Sequence, residues 1–296
     1  MDKRTWVVPP EEDGRKVRSV LRGVLGFSAH AVASLTRTED GILLNGRRAF
    51  ATAVVRTGDV LEVEIGDRRP LKAPILSGDW PLEIVWEDEY LLILNKPAGM
   101  VSLASSFLPD TPTVAGALAF RRGAAVPFHV VNRLDKGTTG LMAVAKSGYV
   151  HNLLRTALHT PAFYREYRGI CVGCPEPEQG EIDLPIGRAE GSAFARAVRP
   201  DGALSRTRYE VLRPGENCSL LRLIPETGRT HQLRVHCAAI GHPLVGDWLY
   251  GTEEPDRIAR PALHSCLLRL RHPITDKEMS FTVPLPEDME NLLCCR

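Results

Sequence analysis

One carboxylate in this chain stands where it could act on a bound molecule. Asp135 lies inside the polar turn Asn132–Gly140, between the apolar runs Val130–Val131 and Leu141–Ala145. Strand, turn and strand would hold that carboxylate on a tight loop, fixed on both sides by buried backbone. Arg133 and Lys136 flank it, so it is expected to be ionised and partly neutralised. The same residues also fit an ordinary hairpin in which Asp135 and Thr138 make local turn hydrogen bonds. An aspartate-nucleophile phosphotransferase is a further reading, because Thr138-Thr139 follow the Asp. That chemistry needs magnesium and a nearby second carboxylate, commonly D-x-D, whereas positions 133 and 137 are Arg and Gly. A second chemical feature is Arg229, in the turn Thr227–Arg229 ahead of a helix. A helix N-terminus is electropositive and suits a carboxylate or phosphate.

The elements that must position these groups follow from the hydrophobic pattern. Leu82–Trp86 and Leu91–Leu94 read as strands around Glu87-Asp88-Glu89, and the second runs into Asn95-Lys96-Pro97. Pro97 and Gly99 should break that strand and release a loop at its end. Thr113 is placed to cap a helix over Val114–Arg121, and Ser147 one whose face is Val150, Leu153, Leu154, Ala157 and Leu158. Tyr164–Val172 reads as a strand, and Ile182–Arg213 as an Arg-rich hairpin (Arg188, Arg196, Arg199, Arg206, Arg208) with Ser205–Val211 as an edge strand. Leu220–Ile224 is a further strand. Thr230 would then cap a helix over His231–Ile240, with Leu233, Cys237 and Ile240 on one face and Gly241 as its stop. Leu263–Leu270 and Met279–Val283 complete the strands. Upstream, Val17–Leu25 is an amphipathic helix, Ser28 caps a second through Leu35, Ile42–Leu44 enters an Asn45-Gly46 turn, and Val60–Ile65 is a strand. The fold class expected is α+β: a largely antiparallel mixed β-sheet domain over residues 81–296, a small N-terminal α/β domain over 1–67, and a Gly-, Pro- and charge-rich linker over 68–80.

The totals narrow the field. A chain of 296 residues with 44% hydrophobic and 25% charged residues can bury a sizeable core and form two domains. A formal net charge of +1 rules out a global basic field, which weighs against nucleic acid but leaves room for a local patch. Only seven of the 37 basic residues are Lys, and Arg suits planar phosphate contacts. Seven Cys without regular spacing point to a reducing compartment, and the lone pair Cys171 and Cys174 reads as a strand end rather than a zinc site. Cys294-Cys295 reads as a frayed tail. The N-terminus lacks an apolar signal core and no run reaches membrane-spanning length, so a cytoplasmic protein is expected, a monomer by default.

Four stretches, in order, carry a resemblance to a known family. Arg133-Leu134-Asp135 with Thr138, Thr139 and Gly140 resembles the R-L-D-x-x-T-[ST]-G signature of the RluA-type pseudouridine synthases. Asn95–Val101 is similar to the N-K-P-x-G-x-x-V segment of that family, Arg165-Glu166-Tyr167 to its K-x-Y element, and Thr227–Arg234 to its T-G-R-T-H-Q-[IL]-R segment. The N-terminal unit resembles the alpha-L RNA-binding module, the S-four-like fold of a small-subunit ribosomal protein. What the resemblance implies is an isomerase of uridine in structured RNA, first ribosomal large-subunit RNA (23S) and second transfer RNA, working without a cofactor. Asp135 would be the essential carboxylate, attacking the substrate or taking up a ribose proton. Arg229 would pair with Asp135, Tyr167 would pack on the uracil, and Leu233 would floor the pocket. Arg133, Lys96, Thr139 and Arg234 would contact the substrate or its backbone. Arg15, Lys16, Arg18, Arg22 and Arg37 of the N-terminal helices would contact phosphates. Two local features stand out: Asn132 replaces the His that often opens the family turn, and Gly137 is expected to loosen it. The non-catalytic alternative is an RNA-binding or ribosome-assembly protein on a synthase scaffold.

Overall fold

The computed structural model describes residues 3–67, 78–104, 108–123, 127–158 and 160–294. Most of the expected linker, residues 68–77, lies outside the described residues, as does the very end of the C-terminal tail.

The N-terminal unit contains β1 (Lys3–Val7), α1 (Val17–Gly23), α2 (Ala29–Leu35), β2 (Ile42–Leu44), β3 (Arg47–Arg48) and β4 (Val60–Glu64). Its antiparallel sheet has the order β1-β4-β2-β3. Helix α1 buries Val17, Val20 and Leu21, the stripe read from the sequence. The Ser28 hydroxyl accepts from the Ala31 amide at 3.1 Å, a cap of about 1 kcal/mol that starts α2. Asn45 and Gly46 take φ of 52° and 74°, the left-handed pair of a tight two-residue hairpin. Strand β1 was not expected. Its sequence, KRTWV, is mostly polar; it forms by pairing with β4, and of its side chains Trp6 packs on the core.

The remaining elements are β5 (Glu83–Glu87), β6 (Leu91–Lys96), α3 (Val114–Arg122), β7 (His129–Val130), β8 (Thr139–Ala145), α4 (Gly148–Ala157), β9 (Phe163–Val172), β10 (Gln179–Asp183), β11 (Ile186–Arg188), β12 (Arg196–Val198), β13 (Arg206–Arg213), β14 (Cys218–Pro225), α5 (Gln232–Ala239), β15 (Leu263–Arg271), β16 (Glu278–Thr282) and α6 (Glu287–Cys294). The large sheet runs β10-β13-β14-β9-β15-β8-β6-β5, with β16 added to β15 and β7 to β8. Its pairings are antiparallel except β8 with β15. At that parallel seam Gly140 has φ 108°, and a Cβ there would sit 2.2 Å from the Ser265 carbonyl oxygen. Only glycine lets the strand beside the Asp135 turn approach β15 so closely.

Two expectations about this domain change. The Arg-rich segment 205–211 is not an edge strand: β13 is paired on both sides, by β10 and β14, so the free edge passes to β10. The C-terminal segment up to Cys294 is helical, and α6 packs Met289 and Leu292 against Ile170 and Val245.

One hydrophobic cluster joins Leu21, Leu25 and Phe27 of the N-terminal unit to Tyr149, Val150 and Leu154 of α4. Phe27 stacks on Tyr149 with ring centroids 4.2 Å apart, and Tyr149 donates to the Leu25 carbonyl at 2.8 Å. The N-terminal unit is thus packed onto the larger domain through a shared core. A second cluster, with Leu94, Leu134, Met142, Tyr167 and Leu233, lies beneath the turn that carries Asp135. Among the described residues no helix is long and apolar enough to cross a membrane.

Candidate active site

The Asp135 turn joins β7 to β8, whose register pairs Val130 with Val144. Three side chains lock it from inside. Asn132, 2% exposed, accepts from the Ala143 amide at 2.8 Å and donates to the Leu141 carbonyl at 3.4 Å. Asn therefore supplies both halves of a cross-hairpin clamp where the family often has His. Ser102 donates to the Leu134 carbonyl at 2.8 Å and accepts from its amide at 3.1 Å. Lys96 donates to the carbonyls of Pro97 and Met100, both at 2.8 Å, and of Lys136 at 3.4 Å. The turn is thereby tied to the loop after β6. At Gly137 a Cβ would lie 2.9 Å from the Pro261 ring, so the glycine makes room for a close approach.

These restraints leave the Asp135 side chain at the wall of a cleft, 28% exposed. Across the cleft runs the turn from β14 to α5. Gln232 staples that turn: its carbonyl oxygen accepts from the Thr227 hydroxyl at 2.7 Å and the Arg229 amide at 3.0 Å, and its amide donates to Thr207 and to the Arg206 carbonyl. His231, not Thr230, occupies the N-cap position of α5, in the left-handed conformation at φ 58° and without a capping side-chain bond. A non-glycine residue held there stores strain on the order of 1 kcal/mol.

The arginine that reaches Asp135 is Arg234, at 3.8 Å, in place of the Arg229 pairing expected from the sequence. Arg229 is exposed and donates from Nε to the Leu204 carbonyl at 3.1 Å. The reason is the helix start. Arg229 lies in the turn and points outward, whereas Arg234 lies in the first turn of α5 and is buried. Arg234 is gripped by Asp247 through two charge-assisted bonds of 2.6 and 2.7 Å, and lies over the Tyr250 ring at 5.0 Å. Burial works against its charge, but Asp247 more than offsets this, so its pKa moves up. Tyr250 accepts from the Arg196 amide at 2.9 Å and lies 2.7 Å from His231 Nδ1. Burial lowers the His231 pKa, while the charge on Asp135 opposes the shift.

From β9, Arg165 and Tyr167 line the same cleft two residues apart, as strand alternation requires. Burial pushes the Tyr167 hydroxyl pKa up, and the charge of Asp135 adds to that. Its ring contributes to the cluster that contains Leu233, which is 6% exposed and also lines the cleft. Arg133 is exposed at the cleft wall, 3.3 Å from the Thr230 hydroxyl. Two expected contact residues lie elsewhere. Thr139 is buried, with its hydroxyl 2.8 Å from His264 Nδ1, and its neighbour Thr138 lines the cleft instead. Lys96 is fully buried, and desolvation lowers its pKa to about 7.

Among the described residues the cleft is lined by five arginines (Arg133, Arg155, Arg165, Arg229, Arg234) and a single acidic residue, Asp135. A chain of net charge +1 therefore concentrates positive potential around one carboxylate, an arrangement suited to an anionic polymer. On the N-terminal helices, Lys16, Arg18, Arg22 and Arg37 are exposed, while Arg15 is paired with Glu12 at 2.6 Å. Among the described residues no three His, Cys, Asp or Glu gather as a metal site.

The sequence reading gave no role to Arg165, although it opens the K-x-Y-like element, nor to His231, Asp247 and Tyr250. Period-two alternation from Tyr167 would have found Arg165, and the T-G-R-T-H-Q-L-R stretch contains His231. Asp247 and Tyr250 lie in a loop beyond α5 with no local signal.

The sequence model described as RNA pseudouridylate synthase matches residues 90–239. The chain is 35% identical over 273 residues to an uncharacterised RNA pseudouridine synthase of Bacillus subtilis (strain 168), covering 92% of this chain and 96% of that one. It is 40% identical over 255 residues to the ribosomal large subunit pseudouridine synthase D of Zymomonas mobilis, covering 80% and 79%. Among solved structures, human RNA pseudouridylate synthase domain containing 1 matches with a TM-score of 0.56 at 29% identity, covering 69% of this chain and 83% of the human one.

Proposed function

The chain belongs to the RNA pseudouridylate synthase family, isomerases that act on RNA, and from that premise we propose that it converts specific uridines of structured RNA to pseudouridine with Asp135 as the essential carboxylate. The observation that carries this reading is a lone carboxylate, held by a rigid hairpin and faced by Arg234, in a cleft that five arginines help to line. Ribosomal large-subunit RNA is the first substrate class and transfer RNA the second. The names of the Zymomonas mobilis relative and of a Vibrio vulnificus relative, also 40% identical, favour the first.

A uracil stacked in a helix cannot reach Asp135, so the target nucleotide is flipped or already unpaired. The arginines at the cleft wall receive the backbone, and the base enters between Tyr167 and Leu233. Arg234 faces Asp135 at 3.8 Å and orients it, and Asp247 keeps Arg234 from swinging away. Asp135 then attacks the substrate or takes up a ribose proton as the bond from ribose to the ring nitrogen breaks. The ring turns in the cleft and rejoins ribose through carbon, which gives up its proton while the freed ring nitrogen takes one, and Asp135 is released by breaking its bond to the substrate or by returning the ribose proton. No atom enters or leaves overall, and the reading invokes no cofactor. The N-terminal unit acts as an alpha-L RNA-binding module, with Lys16, Arg18, Arg22 and Arg37 touching phosphates and Arg15 held by Glu12. The enzyme works as a monomer in the cytoplasm.

The test is pseudouridine mapping on total cellular RNA from wild type, a deletion, and the deletion carrying Asp135→Asn. Loss of one or a few sites in both mutants is expected, with RNA affinity of the Asp135→Asn protein within several-fold of wild type. If no site changes, the non-catalytic RNA-binding scaffold replaces the enzyme reading.

A further inference from the structure

Three arginines of the larger domain are more than nine-tenths buried: Arg165, Arg234 and Arg260. Two of them hold a carboxylate through paired bonds, Arg234 with Asp247 and Arg260 with Asp288. Arg165 is the exception. It is 7% exposed, and among the described residues it makes no ion pair. Among the described residues its Nε is buried without a hydrogen-bond partner, and its side chain makes one hydrogen bond, a long one of 3.5 Å to the Thr227 carbonyl. A buried guanidinium without a counter-charge is costly, and such a cost persists where a ligand supplies the missing anion.

The surroundings indicate where that anion would come from. Arg165 lines the same cleft as Asp135 and Tyr167, and its strand position puts it on the Tyr167 face of β9. The one carboxylate in the cleft, Asp135, already faces Arg234. Thr227, which touches Arg165, opens the turn into α5, and that helix begins without a side-chain cap. A guanidinium with free donors beside an uncapped helix start matches a phosphate group.

We propose that Arg165 and the Thr227–Thr230 turn form a subsite for an RNA backbone phosphate adjoining the flipped uridine. This rests on the synthase reading for the identity of the nucleotide. The subsite lies deeper than the exposed Arg133 and Arg229, so it is filled only when the target nucleotide has entered the cleft. Backbone phosphate and flipped base are therefore recognised together.

The test is calorimetric binding of uridine 3′,5′-bisphosphate, uridine and inorganic phosphate to the full chain, as wild type, Arg165→Met and Arg165→Lys. Wild type is expected to bind the bisphosphate roughly tenfold or more tighter than uridine. Arg165→Met should lose that preference while still binding uridine, and Arg165→Lys should keep part of it. Without ligand, Arg165→Met should melt at the wild-type temperature or about 2–4 °C higher, because it removes an uncompensated buried charge. Two results overturn the proposal: a phosphate preference that survives in Arg165→Met, or a lower melting temperature with uridine binding lost as well, which marks a structural role. Binding of inorganic phosphate as tight as the bisphosphate would make this a free-phosphate site and overturn the backbone assignment. If RNA mapping shows no Asp135-dependent uridine but the Arg165-dependent preference holds, the subsite stands and the synthase reading fails.

Discussion

Lys96 and Arg234 are both buried cations close enough to Asp135 to feel its charge, yet the fold treats them in opposite ways. Lys96 is surrounded by backbone carbonyls, which satisfy its donors without cancelling its charge, and desolvation brings its pKa down to about 7. Arg234 is clasped by a carboxylate, Asp247, which itself is fully buried, so its charge survives burial. The difference teaches which cation does what. Arg234 offers Asp135 a permanent partner at every working pH, whereas Lys96 is a structural fastener between the loop after β6 and the Asp135 turn.

The sharpest way to break this contrast is at the clasp. Asp247→Asn should leave Arg234 charged and buried without its counter-ion. The expected cost is about 3–5 kcal/mol in chemical denaturation, and a kcat about 100-fold lower once Arg234 can drift from Asp135. A variant within about 1 kcal/mol of wild type would mean that Arg234 needs no clasp.

A pH series tests the other cation. Because the folded pKa of Lys96, about 7, lies below its unfolded value near 10.5, the unfolded state binds more protons between those limits. Burial of Lys96 therefore costs most below pH 7, and the penalty fades as pH rises toward 10. Denaturation of wild type and Lys96→Met at pH 7 and 9.5 should show wild type gaining on the order of 3 kcal/mol relative to the variant. Parallel stabilities would show that Lys96 stays charged and that its three carbonyls suffice.

The smallest effect belongs to the arginine that the sequence placed against Asp135. Since Arg229 is exposed and bonded to a carbonyl, Arg229→Ala should weaken RNA binding by about threefold, lessen its salt dependence, and leave kcat within about threefold. A large fall in kcat would return Arg229 to the chemistry.

Much of the architecture was legible because it is local. The caps at Ser28, Thr113 and Ser147, the Asn45-Gly46 turn and the hairpin around Asp135 are each written within a few residues, and each forms as expected. Elements that depend on a distant partner were not legible: β1 needs β4, β13 becomes internal only because β10 covers it, and α6 needs Ile170 and Val245. At the site, Asp135, Tyr167, Leu233 and Arg133 reach the cleft that their motifs implied, whereas Thr139 and Lys96 do not. A strand alternates its faces, so one residue of register separates Thr138, which lines the cleft, from Thr139, which meets His264.

The sequence by itself determined the short-range parts: a carboxylate in a clamped turn, an arginine-rich polar set, and the helix and strand beginnings that present them. It could not decide which arginine meets Asp135. That choice depends on where α5 starts and on Asp247, 13 residues further along the chain. Nor could it reveal that Arg165 is left without a counter-charge. Ion pairing depends on distance and burial, and those quantities exist only once remote segments have packed together.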